Sequence, residues 1–228
     1  MILTITDISQ ESARVSTFRF SSDTPTSYRA GQHISMRLPH ENPDNRGTIR
    51  SFSISSSPTE QHLSITTNQG VSSFKKKLFS LSVGDAIEAR GPGGGFIFRE
   101  EDPGHHIMIA GGIGITPFRS MLKYVSDSKL TMPITLLYSS RTPEEILFKN
   151  FLGSIITNTI AIVYTITRAS WAGRRGRIDE KMISEYCRGT DRYYVCGPIV
   201  FVEAMIALLG TMGMPSDRIH YEKFTGYN

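Results

Sequence analysis

The residues with the most distinctive chemistry in the first half of the chain form the run Arg50-Ser51-Phe52-Ser53. In an extended strand alternate side chains share a face, so Arg50 should lie beside Phe52 and the two serines should face the other way. A guanidinium can hold a phosphate through two hydrogen bonds, and a planar ring can pack on a second ring. The run therefore suits a flavin, although many ordinary strands carry the same pattern.

A second candidate is Gly70-Val71-Ser72-Ser73, which precedes the lysine run 75–77. We expect a helix over about 71–81, and the unpaired N–H groups at a helix start favour a pyrophosphate. The backbone N–H groups and Ser73 are the expected ligands, whereas the lysines are expected to form a solvated face.

A third candidate is Gly111-Gly112-Ile113-Gly114-Ile115-Thr116-Pro117, which follows an apolar strand and opens a helix. Glycines let a phosphate approach the backbone closely. Thr116 is expected to be the N-cap, with Pro117 at the first helical position. The spacing differs from the G-x-G-x-x-G dinucleotide fingerprint, so a plain glycine turn stays open as the alternative.

The run Tyr194-Val195-Cys196-Gly197-Pro198 repeats this arrangement at the end of a later strand. Ligands of open α/β sheets gather at the carboxyl ends of the strands. By itself, Cys196 is more typical of a small buried residue than of a catalytic one.

The elements that must position these residues fall into two groups. Up to about residue 100, short runs of β-branched and aromatic residues alternate with turns, which is typical of an antiparallel barrel. Beyond it, apolar strands alternate with helices, including one expected to start at a capping box in Thr142-Pro143-Glu144-Glu145. The run 51–57 is expected to be a strand edge. The sequence predicts two domains: an antiparallel β-barrel over 1–100 and a doubly wound, parallel α/β domain over 101–228.

Composition limits the classes of function. The 228 residues are 39% hydrophobic and 20% charged, with a net charge of +4, which is too mild for a nucleic-acid-binding surface. The two cysteines cannot ligate an iron–sulfur cluster or a four-cysteine zinc site, so we expect no metal centre in this chain. No signal peptide is visible and no apolar run approaches the ~20 residues of a membrane helix, so a cytoplasmic location is expected.

Together, these motifs resemble those of the ferredoxin–NADP reductase superfamily of flavin oxidoreductases, and they occur in the family's order. The family patterns are R-x-Y-S/T, G-x-x-S/T, the glycine loop and C-G-P, and they correspond here to runs 50–53, 70–73, 111–118 and 196–198. The resemblance extends from Gly31 to Glu222. The sequence departs from the family at Phe52, which keeps the ring of the usual tyrosine and lacks its hydroxyl.

The resemblance implies a bound FAD. Arg50 would pair with the flavin phosphate, Phe52 would pack on the isoalloxazine, and Ser53 would hydrogen-bond near the reactive N5 atom, with Ser51 in the same strand. The run from Gly70 through Val71 and Ser72 to Ser73 would hold the pyrophosphate, which favours FAD over FMN.

The resemblance also implies a nicotinamide site in the second domain. The cofactor would be cradled by Gly111, Gly112, Gly114, Thr116 and Pro117, with Cys196, Gly197 and Pro198 beside the nicotinamide. The implied catalytic residues are Ser53, Cys196 and Glu222. An aromatic residue near the terminus, Phe224 or Tyr227, would cover the flavin.

The choice of nicotinamide cofactor depends on the residues after the second and third strands of this domain. Ser140 and Arg141 follow the second strand, Arg168 follows the third, and no acidic residue stands at the end of the second strand to bind a ribose diol. A cationic pocket favours the 2′-phosphate of NADPH, while NADH stays open.

The expected function is that of a stand-alone FAD-dependent NAD(P)H oxidoreductase, which passes a hydride to flavin and electrons to a separate, acidic acceptor. A ferredoxin, a flavodoxin or an oxygenase component would fit. Two alternatives stay open: a free-flavin or ferric reductase that releases its flavin as product, and a non-catalytic nucleotide-binding subunit.

Overall fold

A computed structural model describes residues 1–102 and 104–225, and it divides the chain into two compact units. The first unit holds Met1–Phe98 together with Arg119–Tyr124. The second holds Arg99–Phe118 and the described residues from Val125 onward. An antiparallel barrel followed by a parallel α/β sheet confirms the predicted fold class.

The described part of the first unit contains a six-stranded antiparallel sheet and one short helix. These elements are β1 (Ile2–Ser12), β2 (Val15–Ser22), β3 (His33–Arg37), β4 (Ile49–Ser53), β5 (Leu63–Asn68), α1 (Ser73–Leu78) and β6 (Ala86–Gly93). The strand order is β4-β3-β6-β1-β2-β5, and an antiparallel bridge between Ile54 and Ile65 joins its two edges. This bridge closes the sheet into a barrel, which protects strand edges that would otherwise be exposed.

Alternation along the strands fills the barrel with apolar side chains, as the period of two requires. The side chains that are at most 1% exposed include Leu3, Ile5, Phe18, Phe20, Ile34, Met36, Ile87 and Ala89. Phe74 and Leu78 of α1 are also fully buried and belong to the same cluster. The helix therefore packs its apolar side into the barrel core.

The serine-rich run 51–57, expected to be a strand edge, begins in β4, the first strand in the sheet order, and its serines after β4 are buried. Ser55, Ser56 and Ser57 are at most 1% exposed. The Ser55 hydroxyl lies 3.0 Å from that of Ser64 and accepts a hydrogen bond from Thr66 at 3.0 Å. Buried hydroxyls need such partners, and here they supply polar contacts where the barrel closes.

From residue 106 onward, strands and helices alternate. The elements are β7 (His106–Gly111), α2 (Ile115–Asp127), β8 (Ile134–Ser140), α3 (Lys149–Ser154), β9 (Ile160–Ile166), β10 (Arg174–Arg175), α4 (Glu180–Ser184), β11 (Arg192–Pro198), α5 (Ile199–Thr211) and β12 (Ile219–Phe224). All strand pairs described in this sheet are parallel, in the order β10-β9-β8-β7-β11-β12. β10 was not expected from the sequence, and the helix expected to start at Thr142 begins only at Lys149, as α3.

The capping-box prediction at Thr142 is wrong. The Thr142 side chain makes no capping hydrogen bond, and Pro143–Glu145 is only a 3₁₀ turn. The next two residues, Ile146 and Leu147, are both buried, and the Leu147 N–H donates to the hydroxyl of buried Tyr138 at 3.3 Å. Burying these consecutive side chains takes the chain out of a helical path, so tertiary packing overrides the local signal.

The longest helices in the described ranges, α2 and α5, have 13 residues each. Among the described residues, no helix combines the length and apolar character needed to cross a membrane.

A buried polar network lies where the strands of the parallel sheet begin. His105 Nδ1 lies 3.0 Å from Asp191 Oδ1, and His105 Nε2 lies 2.9 Å from the Thr135 hydroxyl. Asp191 Oδ2 accepts hydrogen bonds from the backbone N–H groups of Arg188 and Gly189. Burial lowers the pKa of His105 below 6.5, although Asp191 opposes the shift. This edge is opposite to the one where ligands of such sheets bind, so the network serves the fold.

Burial also lowers the pKa of further histidines, so the fold favours neutral imidazole at His33, His62, His105, His106 and His220. Below pH 6.5 the unfolded chain binds more protons at these positions than the folded chain. Stability should therefore rise with pH in this range, and the free energy of unfolding should fall from pH 7.5 to pH 5.5. Urea unfolding followed by circular dichroism at several pH values measures this. His105→Gln should flatten the dependence, and stability that increases toward pH 5.5 would contradict the argument.

Candidate functional site: a flavin strand and a nucleotide edge

Strand β4 presents Arg50 and Phe52 on one face, as the period of the strand predicts. The Arg50 guanidinium lies 5.5 Å from the centre of the Phe74 ring, and the Phe52 ring centre lies 5.8 Å from the same ring. On the other face, the Ser51 hydroxyl is 2.8 Å from that of Ser35 in β3. Ser53, at the end of β4, is 6% exposed.

The Arg50 guanidinium is held by the loop that precedes β4. Nη2 donates to Asp44 Oδ1 at 2.5 Å. Nη1 donates at 2.7–2.9 Å to the carbonyl oxygens of Arg46, Gly47 and Ile49. Nε is buried and has no hydrogen-bond partner within the part of the chain that the structure describes. A buried donor that lacks a partner is costly, so Arg50 has capacity left for an anionic ligand such as a flavin phosphate.

The start of α1 follows Gly70 and Val71, and Val71 is 80% exposed. Ser72 is the N-cap, and its hydroxyl accepts from the Lys75 N–H at 3.3 Å. The Ser73 hydroxyl accepts from the Asp44 N–H and contacts His40 Nε2, both at 2.9 Å. The Ser73 side chain therefore holds the loop before β4 against the helix start.

The lysine run is not uniformly solvated, which corrects the expectation for Lys75. Its Nζ donates to Asn68 Oδ1 at 2.5 Å, while Lys76 is exposed. Burial, with a smaller contribution from the charge of Arg46, lowers the pKa of Lys75 to about 8. Nothing in the sequence indicated that Lys75 would be bonded to Asn68, and the sequence did not point to Asp44 as the partner of Arg50.

In the second unit, β7 ends at Gly111, and Gly112–Gly114 form a 3₁₀ turn that runs directly into α2. Gly112 has φ +53°, in the left-handed region that favours glycine. The expected N-cap at Thr116 is wrong, because α2 begins at Ile115 and the Thr116 hydroxyl donates back to the Ile113 carbonyl at 3.1 Å. Pro117, buried in the first turn, fits there because the N–H groups of that turn lack helical partners.

The glycine loop and the end of β11 approach each other backbone to backbone. A Cβ at Gly114 would overlap the Cys196 carbonyl and lie 2.6 Å from the Gly197 Cα. A Cβ at Gly111 or at Gly197 would lie 2.8 Å from the ring of Phe201 in α5. Phe201 was not expected from the sequence. Glycine is required at these three positions because the backbone and an aromatic ring occupy the space of a side chain.

Parallel register brings the other predicted residues of this unit to one edge of the sheet. Cys196 in β11 pairs with Ala110 in β7 and with Glu222 in β12. Pro198 pairs with Phe224, which is partly buried. Tyr227 lies outside the described residues. Strands in register end together, so this edge collects the residues from three strands.

Cys196 is fully buried, and burial raises the pKa of its thiol well above 9.0, with a further contribution from the Glu222 charge. The thiol therefore stays protonated near neutral pH. Because the thiolate is the nucleophilic form, this environment is unsuited to nucleophilic chemistry at sulfur.

The expected ribose side of the site is formed by the ends of β8 and β9. The Arg168 N–H donates to the Arg141 carbonyl at 2.9 Å, so these two exposed arginines lie on adjoining loops. Ser140 is buried, and its hydroxyl donates to the Thr142 carbonyl at 3.1 Å. Arg174 pairs with Glu185.

Comparisons with known proteins agree with this arrangement. The profile of the oxidoreductase FAD-binding domain matches residues 2–98, and that of the oxidoreductase NAD-binding domain matches residues 108–206. The chain thus contains an FAD-binding and an NAD-binding domain of the oxidoreductase type, with FAD and NAD(P)H as cofactors. It belongs to the ferredoxin–NADP reductase superfamily.

Three similar proteins show the range of relatives. The glycine betaine monooxygenase reductase subunit of Chromohalobacter salexigens is 29% identical over 233 residues, which cover 94% of this chain and 61% of that protein. Ferredoxin–NADP reductase B of Sorangium cellulosum is 27% identical, with 86% of this chain and 85% of that protein covered. The structure of a Neisseria gonorrhoeae ferredoxin NADP⁺ reductase with bound FAD and NADP has the same fold, with a TM-score of 0.82, 20% identity and 98% of each chain covered. This chain therefore spans less than two thirds of the first relative.

Gly114→Ala should destabilise the chain by about 1–3 kcal/mol, because the added methyl group overpacks against the backbone of β11. Gly210→Ala is the matched control, since Gly210 lies in α5 and a Cβ there meets nothing within 4 Å. The control should be neutral or slightly stabilising, because alanine is the better helix former. Urea unfolding of both variants measures the difference. Equal stability of the two variants would show that the close approach is not tight.

Proposed function

We propose that this chain takes electrons from NADPH and delivers them, through its FAD, to a separate acidic electron carrier. The observation that carries the proposal is the joining of the Arg141 and Arg168 loops at the edge that also collects Cys196, Gly197 and Glu222. Membership of the superfamily indicates the type of reaction, and Arg141 and Arg168 favour NADPH as the cofactor.

The bound flavin supplies the redox chemistry, by accepting a hydride and releasing electrons singly. In the first unit, Arg50 would hold its phosphate, Phe52 would flank its ring system, and Gly70 and Ser72 would offer backbone N–H groups to the pyrophosphate. The buried Arg50 Nε–H and the uncovered Val71 are compatible with a ligand at this surface.

Ser53 would position the flavin in the first unit, and Cys196 and Glu222 would position the nicotinamide in the second. Ser53 would donate or accept a hydrogen bond near the flavin N5 atom. A buried, protonated Cys196 would act by shape, as a small group that leaves room for a flat nicotinamide. Glu222, opposite Cys196 in the register, would accept a hydrogen bond from the nicotinamide amide. Such roles affect alignment, which changes rate more than cofactor retention.

In the second unit, Gly111, Gly112 and Gly114 would leave space for the cofactor phosphates close to the start of α2. Arg141 and Arg168 would contact the 2′-phosphate, whereas Ser140, with its hydroxyl turned to Thr142, would contribute backbone only. Arg174 is less suited to this role because Glu185 neutralises it.

Arg141→Ala should reduce kcat/KM for NADPH by about 10- to 100-fold, the equivalent of one charge-assisted hydrogen bond, and change that for NADH little. Steady-state kinetics with both cofactors measures this. Arg188→Ala is the matched control, because Arg188 is an exposed arginine beside the start of β11, at the opposite edge. A wild-type preference for NADH would overturn the choice of NADPH.

The charge of the chain and the names of its relatives both bear on the identity of the acceptor. The chain carries a net charge of +4, and Arg46 and Lys76 are exposed beside the proposed flavin site. The relative from Chromohalobacter is named as the reductase subunit of a monooxygenase, so an oxygenase component joins ferredoxin and flavodoxin as a candidate acceptor. Lys75 contributes less than expected because it is bonded to Asn68.

Electron transfer to an acidic carrier protein should slow as salt is added, because the screening length falls from ~10 Å at 0.1 M to ~3 Å at 1 M. The rate at which a neutral dye oxidises NADPH should not change with added salt. Stopped-flow measurements with a panel of carriers give both rates, and Lys76→Ala should weaken the salt dependence for the true carrier. The same salt dependence for dye and carrier would exclude steering by this surface.

A further inference from the structure

The loop before β4 places the carboxylate of Asp44 beside Arg46 and Arg50, next to the proposed phosphate site. Asp44 Oδ1 accepts from Arg50 Nη2 at 2.5 Å and from the Arg46 N–H at 3.0 Å. The Asp44 N–H is bonded to Ser73 at the start of α1. The Asp44 side chain is 27% exposed and that of Arg50 is 12% exposed. The hydrogen bond from Arg50 holds the pKa of Asp44 below its usual range, so Asp44 is ionised at neutral pH.

The geometry at Arg50 gives this carboxylate a direct effect on an anionic ligand. Nη1 donates to three carbonyl oxygens and Nη2 donates to Asp44, while the buried Nε has no partner in the described ranges. A flavin phosphate must either displace the carboxylate from Nη2 or bind beside it. Displacing the carboxylate breaks its ion pair with Arg50, and binding beside it places two anions close together.

We propose that Asp44 sets the flavin affinity of this chain by competing with the flavin phosphate for the guanidinium of Arg50. The inference rests on the proposed role of Arg50 as the phosphate ligand. In both binding arrangements the negative charge of Asp44 weakens phosphate binding, so the residue favours a flavin that exchanges over one that is held permanently. Asp44 thereby bears on whether the chain keeps its flavin or releases it.

The test is Asp44→Asn in the full chain. The asparagine Oδ1 can accept the same hydrogen bonds from Arg46 and Arg50, so the loop is kept while the charge is removed. After flavin is removed by dialysis, fluorescence titration with FAD, FMN and riboflavin gives three dissociation constants. Those for FAD and FMN should fall about fivefold, as for loss of a partly exposed charge interaction. The dissociation constant for riboflavin, which has no phosphate, should not change.

Glu88→Gln is the matched control, because Glu88 pairs with Arg37 in the same unit at 3.0 Å and its loss removes the same charge. It should leave all three constants unchanged. Asp44→Ser is the second variant, since serine also supports turns of this kind and should shift the constants in the same direction. In an Arg50→Ala background, Asp44→Asn should have no effect on FAD binding.

The outcomes separate the two proposals. If Arg50→Ala weakens FAD binding while Asp44→Asn leaves it unchanged or weakens it, the competition is refuted and Arg50 remains the phosphate ligand. If Arg50→Ala has no effect, or the wild-type chain binds no FAD, the proposed role of Arg50 fails and this inference fails with it. Tighter binding of riboflavin along with FAD would also refute it, because the effect would not involve the phosphate.

Discussion

The nucleotide edge depends on a close contact between two backbones. Gly114 lies so near the carbonyl of Cys196 and the Cα of Gly197 that no side chain fits between them. This approach lets α2 begin beside the end of β11, so that helix N–H groups and the Cys196 region share one edge. Phe201 packs over Gly111 and Gly197 and thereby fixes the contact from the other side. The nucleotide site is thus a property of close packing as much as of any polar ligand.

The first unit holds a mostly buried cation, Arg50, which we propose as the phosphate ligand, beside the apolar core of the barrel. Arg50 emerges from β4 next to Phe74, and backbone carbonyls from the preceding loop orient it. Satisfying most of its donors internally limits the cost of partial burial. The same bonds restrict the guanidinium to one position, which reduces the conformational entropy that ligand binding must remove.

Both units place their buried polar groups where strands start or close. In the barrel, Ser55 and Thr66 bond to each other beside the bridge at Ile54. In the parallel sheet, His105 and Asp191 bond where strands begin. In both units neighbouring side chains satisfy these buried polar groups, as burial requires.

The sequence by itself determined the fold class and predicted the members of the two proposed sites. Period-two patterns defined the barrel strands, and glycines after an apolar strand marked the loop at 111, because these signals arise from local backbone chemistry. The start of α2 and the chain after Thr142 were decided by tertiary structure, where close backbone packing and the burial of Ile146 and Leu147 outweigh capping preferences. The contacts of Asp44 and Lys75 were also decided by the tertiary structure. Asp44 meets Arg50 only when the loop packs on β4, and Lys75 meets Asn68 only when α1 packs beside the end of β5.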